Sequence, residues 1–223
     1  LSDRTINHCI SQLRFFTLYV LHKPWDPTQL PMRKFDSYLP FVPTQKEAEL
    51  FISSLPDLKP KAMVSLMYSS GLRVGEVCSL RYCDIQRKNM RIHVTHSKNR
   101  SDRYAILSQK ALDILTEYWF AYNRPTGWLF PKQTDPSRPI DTFYIMRHMR
   151  AHEDSLGWEH RITCHSFRHA FGTHLYENGA DLLTIKTLMG HKSLNSTLLY
   201  IHLASYHARN VMSPFDRIGG GSL

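Results

Sequence analysis

Cysteine is scarce in this chain, and the few present form no motif. Cys9, Cys78, Cys83 and Cys164 are the 4 cysteines among 223 residues. No two are spaced Cys-x-x-Cys, so neither a zinc cluster nor a disulfide frame is expected, and free thiols in a reducing compartment are. Long apolar runs are also lacking. No stretch approaches the roughly 18 residues of a membrane span, and no signal-peptide pattern opens the chain. A cytoplasmic or nucleoid location without a membrane is the expectation. Acidic residues are outnumbered, with 19 Asp and Glu against 28 Lys and Arg, and the net charge is +9. That balance favours a polyanionic partner through phosphate neutralisation and counterion release, although basicity alone does not decide it. The carboxylates do not cluster, and none of the 13 histidines sits in a His-Glu-x-x-His pattern. A metal site, and with it a metal-dependent nuclease, is therefore not expected. There is no internal repeat. With 42% hydrophobic and 21% charged residues, the chain can bury a real core and does not read as disordered.

Residues 5–22 carry Ile6, Ile10, Leu13, Phe16 and Val20 at helical spacing, and Pro24 stops that helix. Five prolines between Lys23 and Pro43 mark a linker. Thr44 followed by Glu47 is a capping-box pattern that opens a new domain. Helices are predicted over 61–69, ended by Gly71, and over 74–80. Strands are predicted over 83–86, 90–96 and 103–107. Further helices are predicted over 109–122, 141–156, 166–178, 182–189 and 193–201, with a short final one over 202–211. The fold class is mainly α with one small antiparallel sheet (α+β). Gly219 to Ser222 reads as a flexible tail.

Four clusters could carry chemistry. Arg73 lies just past a helix end with Glu76 one turn on. It could offer a guanidinium fork to a phosphate or simply pin the turn. Lys98, Arg100 and Arg103 lie in and beside a polar turn between two strands, where a lysine can enter a DNA groove or just blunt a sheet edge. His165 and Arg168 are three apart at a helix start, so they share a face near a terminus that favours anions. His169 and His174 on the same helix read as packing histidines. Gly190 can end a helix, His191 lies in the turn, Lys192 follows, and Ser193 can cap the next helix. Tyr200 then falls about two turns along. It is one tyrosine of 11, and Leu199 and Ile201 beside it suggest partial burial.

These clusters, in this order, resemble the tyrosine recombinase (phage integrase) family, whose pattern is Arg, Lys, His-x-x-Arg, His or Trp, then Tyr. The chain supplies Arg73, Lys98, His165, Arg168, His191 and Tyr200. Ser70-Gly-Leu-Arg-Val-Gly-Glu76 looks like the family's first box, and the stretch from His165 to Tyr200 looks like its second. The separation of 23 from Arg168 to His191 is similar to the bacterial Xer and integron-integrase branch. The turn at Ser97-Lys98-Asn99 departs from the usual Gly-Lys-Gly, so Arg100 or Arg103 competes for the lysine's role. Tyr206 is the alternative nucleophile.

The resemblance implies four regions: residues 1–25 as the end of a truncated helical core-binding domain, 26–43 as linker, 44–202 as catalytic domain, and 203–223 as a C-terminal helix and tail that could be exchanged between protomers. It implies a site-specific recombinase acting on double-stranded DNA sites as a homotetramer on two duplexes, with no ATP, metal or other cofactor, in the service of a mobile element. Tyr200 would attack a phosphodiester and form a 3′-phosphotyrosine. Arg73 and Arg168 would stabilise the phosphate, His165 and His191 would add hydrogen bonds, Lys98 would protonate the leaving 5′-oxygen, and Glu76 would orient the site. Arg100, Arg103 and Lys192 are the expected DNA contacts. A type IB topoisomerase-like relaxase and a DNA-binding regulator without catalysis are the rival readings.

Overall fold

The computed structural model describes residues 1–34, 39–95 and 102–204. Contacts divide the chain into Leu1–Leu39 and Pro40–Leu223. In the first unit, helix α1 spans Asp3–Tyr19 and starts early because the Ser2 hydroxyl accepts from the Thr5 amide. Asn7 bonds both the amide and the carbonyl of Arg33 at 2.8 Å, which ties the proline-rich stretch back onto the helix. Of the apolar positions read from the sequence, Ile10 is the one that is buried.

The second unit opens as its capping box predicts. Thr44 Oγ1 accepts from Glu47 N, and Glu47 Oε2 accepts from Thr44 N at 2.7 Å, starting α2 at Gln45–Ser54. Helix α3, Leu58–Ser70, is the central helix, buried along most of its length between α5 and α7. It begins earlier than predicted because Pro60 falls in its first turn, where a missing N–H costs nothing. Gly71, at φ +63, ends it in the left-handed region. The short helix α4, Val74–Cys78, follows.

The small sheet has strand order β1-β2-β3, all antiparallel, with β1 at Ile85–Gln86, β2 at Arg91–Val94 and β3 at Arg103–Ile106. Ile92, Val94 and Ala105 face the core, while Arg91 and Tyr104 face outward. The strand predicted over 83–86 is shorter than expected. Tyr82–Asp84 is a 3₁₀ turn held by Asp84 Oδ2, which accepts from Arg81 N at 2.7 Å. A second, two-stranded hairpin pairs β4 (Pro131–Lys132) with β5 (Asp135–Pro139). The sequence gives no sign of it, because these residues are polar or proline and do not alternate.

The remaining helices are α5 Gln109–Ala121, α6 Thr142–Leu156, α7 Cys164–Glu177, α8 Leu182–Met189 and α9 Asn195–Leu203. Ser108, Asp141, Thr163 and Asp181 cap the first four through their side chains. α9 starts two residues later than predicted, with Leu194 at its N-cap, although Ser193 Oγ still accepts from Asn195 N. One large apolar cluster fills the space around α3. A second, smaller one is built from Phe171, Ile185, Met189 and Tyr200 where α7, α8 and α9 meet. The four cysteines are free thiols. Among the described residues no helix is long and apolar enough to cross a membrane. The helix predicted over 202–211 lies beyond the described residues from 205 on, as do Tyr206 and the glycine-rich tail.

Candidate active site

Arg73 sits at the start of α4, two residues beyond the left-handed Gly71 that ends α3. Glu76, one turn on, accepts from the Arg73 amide at 2.9 Å and from Arg73 Nη1 at 2.8 Å. The carboxylate therefore holds both the backbone and the guanidinium of Arg73. Arg73 keeps about a quarter of its side chain exposed (24%), whereas Glu76 is buried (3%). Burial works to raise the Glu76 carboxyl. The hydrogen bond and charge of Arg103 and the hydrogen bonds from Arg73 overcome it and bring the group down to about 2.

Thr163 starts α7, which carries His165 and Arg168 on one face. Arg168 is almost fully buried (3%) and donates to two helix-end carbonyls: Gly71 O, after α3, and Met189 O at 2.6 Å, at the end of α8. Both ends carry unsatisfied carbonyls and partial negative charge. Burial lowers the Arg168 guanidinium to about 10, so it stays charged at neutral pH. His165 is at the surface of this site. Its imidazole is pulled below the ordinary range by desolvation and by the Arg168 and Arg73 charges.

Gly190 (φ +63) ends α8 and turns the chain into His191. His191 Nδ1 lies 2.9 Å from Thr197 Oγ1. Desolvation, with Arg168 and Arg73 next, lowers His191 to about 4, so its ring is neutral at pH 7. Tyr200 on α9 is buried, at 1% exposure, deeper than the partial burial read from Leu199 and Ile201. Its ring lies nearly parallel to His191, with centroids 6.1 Å apart and planes at 15°. His169 is the same distance away on the other element. Burial pushes the Tyr200 phenol up to about 12, and the Arg168 and Arg73 charges oppose that rise.

The fold thus brings Arg73, Glu76, His165, Arg168, His191 and Tyr200 to one locality across α4, α7, the α8–α9 turn and α9. Lys98 and Arg100 lie outside the described residues. Lys192 is exposed beside His191. Arg103, expected as a DNA contact, points inward with 9% of its side chain exposed. Its three guanidinium nitrogens donate to Glu76 and to Leu188 O. Thr197 and Gly172 were not singled out by sequence. Thr197 shares a helix face with Tyr200, three residues away, which is the signal that could have marked it. Among the described residues no group of three His, Cys, Asp or Glu side chains is arranged to hold a metal.

The profile described as the Phage integrase family matches residues 43–207, most of the chain and all of this site. The chain belongs to that family. Like other phage integrase family members it is a tyrosine recombinase, an enzyme of site-specific DNA recombination. Among its relatives, the integrase/recombinase homologue y4eF of Sinorhizobium fredii is 36% identical over 217 residues, covering 97% of this chain and 86% of that protein. Tyrosine recombinase XerD of Lacticaseibacillus casei is 30% identical over 221 residues, covering 91% of this chain and 73% of that one. Among solved structures, the Tn1549 transposon integrase with a circular intermediate DNA aligns with a TM-score of 0.76 at 19% identity, over 90% of this chain and 75% of that one. At that identity the likeness is one of fold: a mostly helical integrase domain with small antiparallel sheets.

Proposed function

We propose that this recombinase cleaves one strand of a double-stranded DNA site with Tyr200 as nucleophile, within a homotetramer holding two duplexes, in the service of a mobile element in a bacterial cytoplasm. The observation that carries the nucleophile is its surroundings. The Tyr200 phenol feels both Arg73 and Arg168, and its ring stacks beside a neutral His191. The Tn1549 transposon integrase is similar in fold and was solved on circular intermediate DNA, which supports the DNA substrate and the mobile-element role.

The chemistry runs as an in-line displacement. Tyr200 Oη bonds to the scissile phosphorus while the bond to the 5′-oxygen breaks. The phenol proton passes to His165, whose lowered basicity keeps it neutral and able to accept. The 5′-oxygen takes a proton from Lys98 and leaves as a hydroxyl. Arg73 and Arg168 hold the non-bridging oxygens as their negative charge grows, and Lys192 steadies the nearby backbone. His191, anchored through Nδ1 on Thr197, turns Nε2 toward the phosphate. The phosphotyrosine conserves the energy of the broken bond, so a second 5′-hydroxyl can reverse the attack.

The test is a nicked suicide duplex carrying the recombination site, selected from DNA flanking the gene. Wild type should trap a denaturation-resistant adduct, Tyr200→Phe none, and Tyr206→Phe a normal amount. An adduct that persists in Tyr200→Phe ends the nucleophile assignment. Relaxation of supercoils by monomers without strand exchange would favour the topoisomerase-like reading instead.

A further inference from the structure

Arg103 opens β3, five residues after Lys98 in the chain, and its side chain runs inward to three separate parts of the site. Nη1 and Nη2 donate to the two oxygens of Glu76 at 2.9 and 2.7 Å. That is the planar, two-pronged pairing only a guanidinium makes with a carboxylate. Glu76 passes the constraint on, because the same two oxygens hold the Arg73 guanidinium and amide. The third nitrogen, Nε, donates to Leu188 O at 3.1 Å. This carbonyl lies at the C-terminal end of α8, beside the Met189 carbonyl taken by Arg168. The next residue but one, Gly190, packs on the Arg103 stem so closely that a Cβ there would lie 2.8 Å from Arg103 Cδ. His191 follows directly.

We propose that Arg103 is a positioning residue for strand cleavage: it sets Arg73 through Glu76 and His191 through the end of α8, from the strand that leaves the Lys98 segment. It touches no substrate. Two arginines share one carboxylate here, so the trio keeps one net positive charge for the phosphate while both guanidiniums are held in fixed orientation. A lysine in place of Arg103 keeps the charge. It cannot hold both Glu76 oxygens and Leu188 O together, because its ammonium lacks the planar fork. Charge and geometry can therefore be separated by one substitution.

This inference rests on the Tyr200 reading, and wild-type adduct formation is the control that tests that reading alone. The full chain carrying Arg103→Lys is compared with wild type in DNA affinity across salt concentrations, single-turnover cleavage of the nicked suicide duplex, and thermal unfolding. The expected result is unchanged affinity, an unchanged salt slope and cleavage slower on the order of 100-fold, as misplacement of reacting groups by about 1 Å produces. Glu76→Gln should also cleave slowly, and the double variant no more slowly than the slower single, because both act along one chain of contacts. A DNA affinity lowered by the lysine would mean that the guanidinium contacts a phosphate directly and would overturn the proposal. So would wild-type cleavage, additive losses in the double variant, or a cleavage loss matched by unfolding at the assay temperature.

Discussion

Gly172 on α7 lies against the face of the Tyr200 ring: a Cβ built on Gly172 would stand 2.6 Å from Cζ, 2.7 Å from Cε2 and 2.8 Å from Cε1. The height of the phenol in the site is thus set by a missing side chain on the neighbouring helix. The contact is with a packed ring and not with a flexible tip, so α9 has to move if the space is filled.

Gly172→Ala tests that dependence. Alanine should gain up to about 1 kcal/mol of helix propensity and lose about 1–3 kcal/mol to overpacking, for a net loss of stability. Cleavage of the suicide duplex should slow on the order of 100-fold with little change in DNA affinity. Normal cleavage with a normal melting temperature would show that the ring is free to slide.

Thr197 fixes the imidazole of His191 through a 2.9 Å contact between the buried hydroxyl and the half-buried ring. Thr197→Val keeps the shape and removes the hydroxyl. It should cost about 1 kcal/mol of stability and slow cleavage on the order of 10-fold, the usual effect of freeing a supporting partner. Thr197→Ser should restore cleavage. If serine fails where valine fails, packing by the methyl group and not the hydrogen bond sets the histidine.

The phenol should stay protonated in the free protein, because burial outweighs the arginines and holds Tyr200 near 12. An ultraviolet titration of wild type minus Tyr200→Phe should show no extra phenolate between neutral pH and about pH 10, the ordinary tyrosine value. Arg168→Gln should push the phenol higher still, since Arg168 is the larger of the two charges that oppose the rise. A phenolate signal near pH 8 would mean that the nucleophile is ionised before DNA arrives, and a base would then be unnecessary.

Acid should destabilise the fold in two stretches. His169 and His191 are lowered from 6.5 to about 4, mainly by desolvation. As pH falls from about 6.5 to about 4 the unfolded chain takes up protons that the folded chain refuses, so stability declines over that window. Glu76 is lowered from 4.5 to about 2. Its contribution is complete above about 4.5 and is lost as pH falls toward 2. Thermal unfolding across this range should follow both slopes, and His169→Gln should flatten the upper one. A flat melting temperature between about pH 6.5 and 4 would contradict the buried, neutral histidines.

By itself the sequence determined the order and spacing of the site residues and the punctuation of the helices. Arg73, His165, Arg168, His191 and Tyr200 keep a register that neighbouring residues cannot imitate. Thr44 with Glu47, Gly71 and Gly190 mark helix ends through local backbone chemistry that a few residues suffice to specify. The tertiary structure decided what each side chain meets. Arg103 reads as one more surface cation in a basic turn, because its partners lie 27 and 85 residues away and no local pattern encodes them. Its strand is only four residues long, too short for alternation to say which face is buried. The β4–β5 hairpin escaped for a related reason: tertiary pairing overrides its poor strand composition. Tyr200, half-apolar in its local sequence, became fully buried because Gly172 on another helix leaves room for the ring. Chain-local rules fix where elements begin and end, while burial and electrostatic environment belong to contacts that only folding creates.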